Sequence, residues 1–176
     1  MEKSFELIVL LSAALATGGL VVNWIGLGRA MSRLSVSAYI EFHQHTNRTF
    51  DPYMPMVVVG ALAGGVALAV MYGVHSIPGQ LAAAGAVCYA LVILITVPTN
   101  LRINKQIAHW SIQNPPRDWA QMRARWLRFH VIRTLFSVPA LAASREEFLV
   151  GRLAQPPAPR SPPVLQVGTQ SGRAAS

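Results

Sequence analysis

Trp126, His130 and Arg133 stand at i, i+4 and i+7 in the segment Trp126-Leu-Arg-Phe-His130-Val-Ile-Arg133, so on a helix they share one face. Asn100 and Asn104 share a face in the same way, in Pro98-Thr-Asn100-Leu-Arg-Ile-Asn104. Each segment lies at one end of a long apolar run, where a membrane helix meets water. A large aromatic ring, a titratable base, a fixed cation and two amides at one membrane depth describe a polar pocket. Groups of this kind are costly beside lipid, so they are expected to face a bundle interior or a polar cavity.

The elements that must carry them are membrane helices. Of the 176 residues, 52% are hydrophobic and only 12% charged, with a mean hydropathy of +0.38; a soluble domain carries roughly twice that charged fraction. Uncharged runs cover 7–28, 52–74 and, after a break at Ser76-Ile77-Pro78-Gly79, the stretch to Leu101. Each has the ~20 residues needed to cross the hydrocarbon layer. The first run is too long for a signal-peptide core and is followed by Arg29 and Arg33, as in a stop-transfer segment.

The fold class expected is all-α, an integral membrane four-helix bundle with a polar pocket at one membrane face. The spans are placed at about 5–28, 53–74, 79–97 and 126–144. Asp51-Pro52 reads as an N-cap followed by proline at the first helical position. Pro78-Gly79 reads as the turn of a tight hairpin. Pro98 and Pro139 are expected to kink their helices. The last helix is expected to begin near Asp118, with Arg128, His130 and Arg133 in its first membrane turns. Residues 1–145 form the membrane domain and 146–176 a tail, Pro-rich from about Gln155 and read as disordered. Small residues at Ala14/Gly18, Gly60/Gly64 and Ala61/Gly65 permit close helix approach, within the bundle or in a homo-oligomer.

The net charge of +8 is spread over membrane-flanking segments, which indicates topology and anionic lipid contact and argues against nucleic acid. Arg123, Arg125 and Arg128 read as ligands for lipid phosphates. The loops 29–52 and 101–125 lie on one side and carry more Lys and Arg than the other. The positive-inside rule then puts both loops in the cytoplasm and both termini outside, in a plasma membrane. Cys88 lies within an apolar run and reads as a small buried residue.

Most other polar candidates fall on the loop side: Glu41, His43, His45, Asn47 and Arg48 in the first loop, and His109, Trp110 and Trp119 in the second. The tryptophans equally fit an interfacial belt, and Asn100 and Asn104 equally fit backbone satisfaction near Pro98. Arg133 is too deep for routine snorkelling. Glu41-x-His43-x-His45 offers metal-ligand types, but i and i+2 diverge on a helix. No metal site is assigned, and metal or haem stays open as an alternative because ligand types occur without a ligand spacing.

The segments His45-Thr-Asn-Arg-Thr-Phe-Asp-Pro-Tyr-Met-Pro55, Pro98-Thr-Asn100-x3-Asn104, Ile107-Ala-His-Trp110, Pro116-Arg-Asp-Trp119 and Arg125-Trp126-x3-His130-x2-Arg133-Thr134 resemble the anthrone oxygenase-like family of small four-helix membrane proteins. The resemblance covers roughly residues 5–145. It implies oxidation of an anthrone to an anthraquinone by O2, with no cofactor beyond that co-substrate. It further implies His130 or His45 as the base, and Arg133, Asn100 and Asn104 around the developing oxyanion. Trp126 and Trp110 would stack on a hydrophobic aromatic substrate arriving through the bilayer. The competing reading is a non-catalytic accessory or a lipid- or quinone-binding protein. A transporter is disfavoured by the lack of an inverted repeat.

Overall fold

The computed structural model describes residues 2–51 and 53–153. Among these every regular element is helical, as expected. The chain runs through α1 (Glu2–Val22), a π-helical turn (Asn23–Leu27), α2 (Gly28–Met31), α3 (Val36–Phe50), α4 (Met54–Tyr72) and α5 (Ile77–Thr96). A second π turn (Val97–Leu101), α6 (Arg102–Ile107) and α7 (Trp119–Leu153) complete it.

Each π turn is continuous with its flanking helices, so Lys3–Met31 and Ile77–Ile107 are each one long rod. Among the described residues these two and Met54–Tyr72 are the three helices long and apolar enough to cross a membrane. Sequence reading counted four. The fourth, α7, is 35 residues long, but its arginines, His130 and the Glu146-Glu147 pair break its apolar character. It nonetheless packs as a full member: α5 contacts α4 and α7, and α1 contacts α4 and α7, closing a ring of four.

The ring is apolar outside and small inside. Leu7, Leu11 and Leu15 on α1, Met56, Val59 and Val70 on α4, and Leu94 on α5 face outward, while Ala13, Ala16, Ala61 and Ala140 are buried. That inversion suits helices surrounded by lipid, where close packing rather than water expulsion holds neighbours together. Gly64 lies so close to the Val9 side chain that a Cβ there would collide with it. A Cβ on Gly65 would meet the Ala86 side chain at a tight 3.3 Å across α4 and α5. Gly64 and the Ala61/Gly65 pair therefore serve contacts inside the bundle, whereas Ala14 and Gly18 are exposed on its outside.

Several local expectations are corrected. Residues 29–52, read as a loop, are mostly α3. Tyr39, Ile40 and His43 are its buried face, and Ser35 caps it by accepting from the Ala38 N–H. Asp51 does not cap α4, which starts at Met54 behind Tyr53 without a side-chain cap; Pro52 lies outside the described residues. The α4–α5 hairpin turns at Gly73, whose φ of 76° needs glycine, and Ser76 caps α5 through the Gly79 N–H. Pro78 and Gly79 thus belong to the first turn of α5, where a missing proline N–H costs nothing. At Pro98 the chain answers the lost hydrogen bond with a π turn instead of a break. The helix α7 continues past residue 145 to Leu153, and the Pro-rich tail lies outside the described residues.

Candidate functional site

At the end of the bundle covered by α3 and α6 lies a cavity of about 260 Å³, just under the range of about 300–1,000 Å³ usual for small-molecule sites. Its wall is largely apolar, from Leu20, Met54, Val58, Val92 and Ile93. Its polar groups come from five places in the chain: Asn23, the run His43–Asn47–Asp51, Thr96, Asn104, and the α7 face Trp126–His130–Arg133. The predicted face on α7 is therefore real, and all three of its side chains line one cavity.

Hydrogen bonds fix the state of each group. The His130 Nε2 lies 3.0 Å from the Leu20 carbonyl oxygen, which can only accept, so Nε2 carries the proton. Arg133 can only donate, and its Nε and Nη2 reach His130 Nδ1 at 3.2 and 2.8 Å. His130 is thus a neutral imidazole with both ring nitrogens engaged. Arg133 Nη1 also donates to Thr96 Oγ1 at 3.2 Å. One N–H on each terminal guanidinium nitrogen is left for something else.

A second network adjoins the first. Trp126 Nε1–H donates to Asn104 Oδ1 at 2.6 Å, which fixes the orientation of that amide. His43 Nε2, 3.2 Å from the same oxygen, is then its second donor, and the His43 Nδ1 lone pair is buried without a partner. Burial lowers the His43 pKa to about 4, against the pull of the Asn104 hydrogen bond, so this ring is neutral as well. Trp126 stacks on His130 at 5.0 Å and 3° and meets His43 edge-on at 5.1 Å, which joins the two networks. Buried, unpartnered Asn23 Oδ1 and Asn47 Nδ2 also belong to residues of the cavity wall.

The other predicted residues are placed differently. Asn100 is buried, but it donates to the Trp126 backbone carbonyl at 2.9 Å and does not line the cavity. Asn100 and Asn104 both reach Trp126, the first at its backbone carbonyl and the second at its indole N–H, but only Asn104 opens on the cavity. His45 is exposed, on the side of α3 away from His43. Trp110 packs with Ile103 and Ile107 in the layer above the cavity. Arg123, read as a lipid ligand, lies 4.7 Å from the Trp119 ring centroid and 5.6 Å from that of Tyr39, and donates to the Met31 carbonyl. It pins α3 to α7. Sequence reasoning passed over Thr96 and Asp51 as site residues. The 3.6-residue spacing of Tyr39, His43 and Asn47 is the signal that would have shown which loop histidine turns inward. Among the described residues, no group of three or more His, Cys, Asp or Glu side chains is placed to hold a metal ion.

A guanidinium with free donors, two neutral imidazoles and a largely apolar wall thus share one cavity. The sequence model of the anthrone oxygenase family matches residues 42–143, more than half of the chain, and covers every α7 site residue. The chain belongs to the anthrone oxygenase family. No curated protein and no solved structure matches it.

Proposed function

We propose that this protein is a membrane-embedded oxygenase that converts an anthrone-like polycyclic substrate into a quinone with O2. The observation that carries the reading is a guanidinium held in an apolar cavity with N–H groups to spare. Loss of a methylene proton from an anthrone yields an anthrolate, whose charge rests largely on the ring oxygen. Arg133 supplies fixed donors for that oxygen in a site poor in water, where such stabilisation is strong. His130 keeps the guanidinium in place. Asn104, its oxygen engaged by Trp126 and His43, lines the same cavity.

The anthrolate is electron-rich enough to pass an electron to O2 directly, so the chemistry proposed needs no metal or flavin. A poorly soluble planar substrate would reach the cavity from the lipid phase. The proposed topology has the cavity end in the cytoplasm and the termini outside, in a plasma membrane. Oxygen uptake and quinone absorbance, followed in membranes carrying the protein and supplied with an emodin-type anthrone, test the reading. Protein-dependent quinone formation above the spontaneous rate is expected. Saturable binding without any added oxidation would instead favour a quinone- or lipid-binding protein.

A further inference from the structure

We propose that Asp51 is the general base of this site, taking the substrate's proton while Arg133 holds the charge left behind. The proposal rests on the oxygenase reading above. Asp51 ends α3, its N–H bonded to the Asn47 carbonyl at 2.8 Å. Its sequence position next to a proline suggests a capping task, yet no side chain caps α4. The residue lines the cavity instead, together with Asn104 and Arg133, and it is the one carboxylate among the described residues that does so.

Asp51 and Arg133 influence one another electrostatically, but no ion pair within 4 Å joins them. Among the described residues the salt bridge found is Arg145–Glu146. A carboxylate and a cation that share an apolar cavity without closing on each other can ionise a weak acid placed between them. Partial burial pushes the Asp51 carboxyl above its usual range, while the Asn104 amide and the Arg133 charge pull it back. The net direction is upward, which makes this carboxylate a stronger base than a free one.

The histidines are less suited. His130 could take a proton only by releasing Arg133, and its imidazolium would then face the guanidinium. The free nitrogen of His43 is buried away from contact, and His45 is outside the cavity wall. Asp51 is exposed, so its proton can pass to water between turnovers.

In the step proposed, a methylene C–H breaks, its proton goes to an Asp51 oxygen, and the electron pair enters the ring system with the charge on the oxygen facing Arg133. One electron then passes to O2, and superoxide and the carbon radical join as a C–O bond. Asp51 returns its proton to the resulting peroxide. Loss of the second methylene hydrogen with O–O cleavage gives the ketone and one water, so CH2 and O2 become C=O and H2O.

Deprotonation can be read apart from oxidation as anaerobic exchange of the methylene hydrogens of anthrone in D2O, above the spontaneous rate. Membranes carrying the wild-type protein should accelerate it. Asp51→Asn should lower that acceleration by about 10²-fold or more, with anthrone quenching of tryptophan fluorescence retained, and Asp51→Glu should restore part of it. Added acetate should rescue Asp51→Ala, and His130→Gln should exchange within about tenfold of wild type if it acts only by holding Arg133. Wild-type exchange in Asp51→Asn, or loss of exchange in His130→Gln with binding intact, overturns the assignment. Quinone formation that persists in Asp51→Asn would do so while leaving the oxygenase reading standing. Absence of both exchange and oxidation in the wild type would remove both.

Discussion

The two ends of the helix bundle both bury polar side chains, and they use them differently. At the cavity end, His43, Asn104, Trp126, His130 and Arg133 are joined by directed hydrogen bonds around an open volume. At the other end, Glu6 and Glu147 are buried where α1 begins and α7 ends, with Tyr72 donating to Glu6. One oxygen of each carboxylate has no partner, and neither residue lines the cavity. Burial of an ionisable group in the bundle therefore does not by itself mark a cavity. What separates the ends is a volume that a ligand can enter and a cation with donors left over.

Breaking the cavity end should show first in turnover. Arg133→Gln removes the fixed charge and is expected to lower kcat by about 10²–10³-fold, measured as quinone formation per unit of folded protein. His130→Leu leaves the charge but takes away the acceptor that aims it. A smaller loss, roughly tenfold to a hundredfold, is expected. His130→Gln, which keeps both an acceptor and a donor, should recover most of it.

A milder effect concerns pH and stability. Folding lowers the His43 pKa from 6.5 to about 4, so above pH 6.5 the folded and unfolded states both carry a neutral ring. Between pH 6.5 and about 4 the unfolded state binds the proton first, and stability falls as pH falls, by on the order of 3 kcal/mol across the window. Thermal unfolding in detergent should show this slope, and His43→Gln should flatten it. The smallest effect belongs to the opposite end. Glu147→Gln should leave turnover per folded protein unchanged and alter stability by no more than about 1 kcal/mol, because one of its buried oxygens already lacks a partner. A large loss of turnover there would erase the contrast between the ends.

Sequence periodicity carried the α7 face completely, because i, i+4 and i+7 fix a face on any helix, and the structure puts Trp126, His130 and Arg133 on one cavity. Asn100 and Asn104 both reach Trp126, as one helix face would have them do, but only Asn104 also opens on the cavity, which residue spacing does not decide. His43 against His45 was decided by α3, whose polar composition reads as loop although Tyr39, Ile40 and His43 recur at helical spacing. Asp51 was assigned to a cap that α4 does not use. Both cases turn on how one short helix folds back over the bundle, a tertiary fact that local spacing does not contain.

The central claim is that a substrate bound beside Arg133 is oxygenated by O2. Anthrone oxidation under ¹⁸O2, in membranes carrying the protein, tests it most directly by mass spectrometry of the quinone. The account predicts one ¹⁸O in the newly formed carbonyl, appearing faster than in membranes without the protein and lost in Arg133→Gln. Quinone formed at the spontaneous rate in all three, or formed with its new oxygen drawn from water, would contradict it.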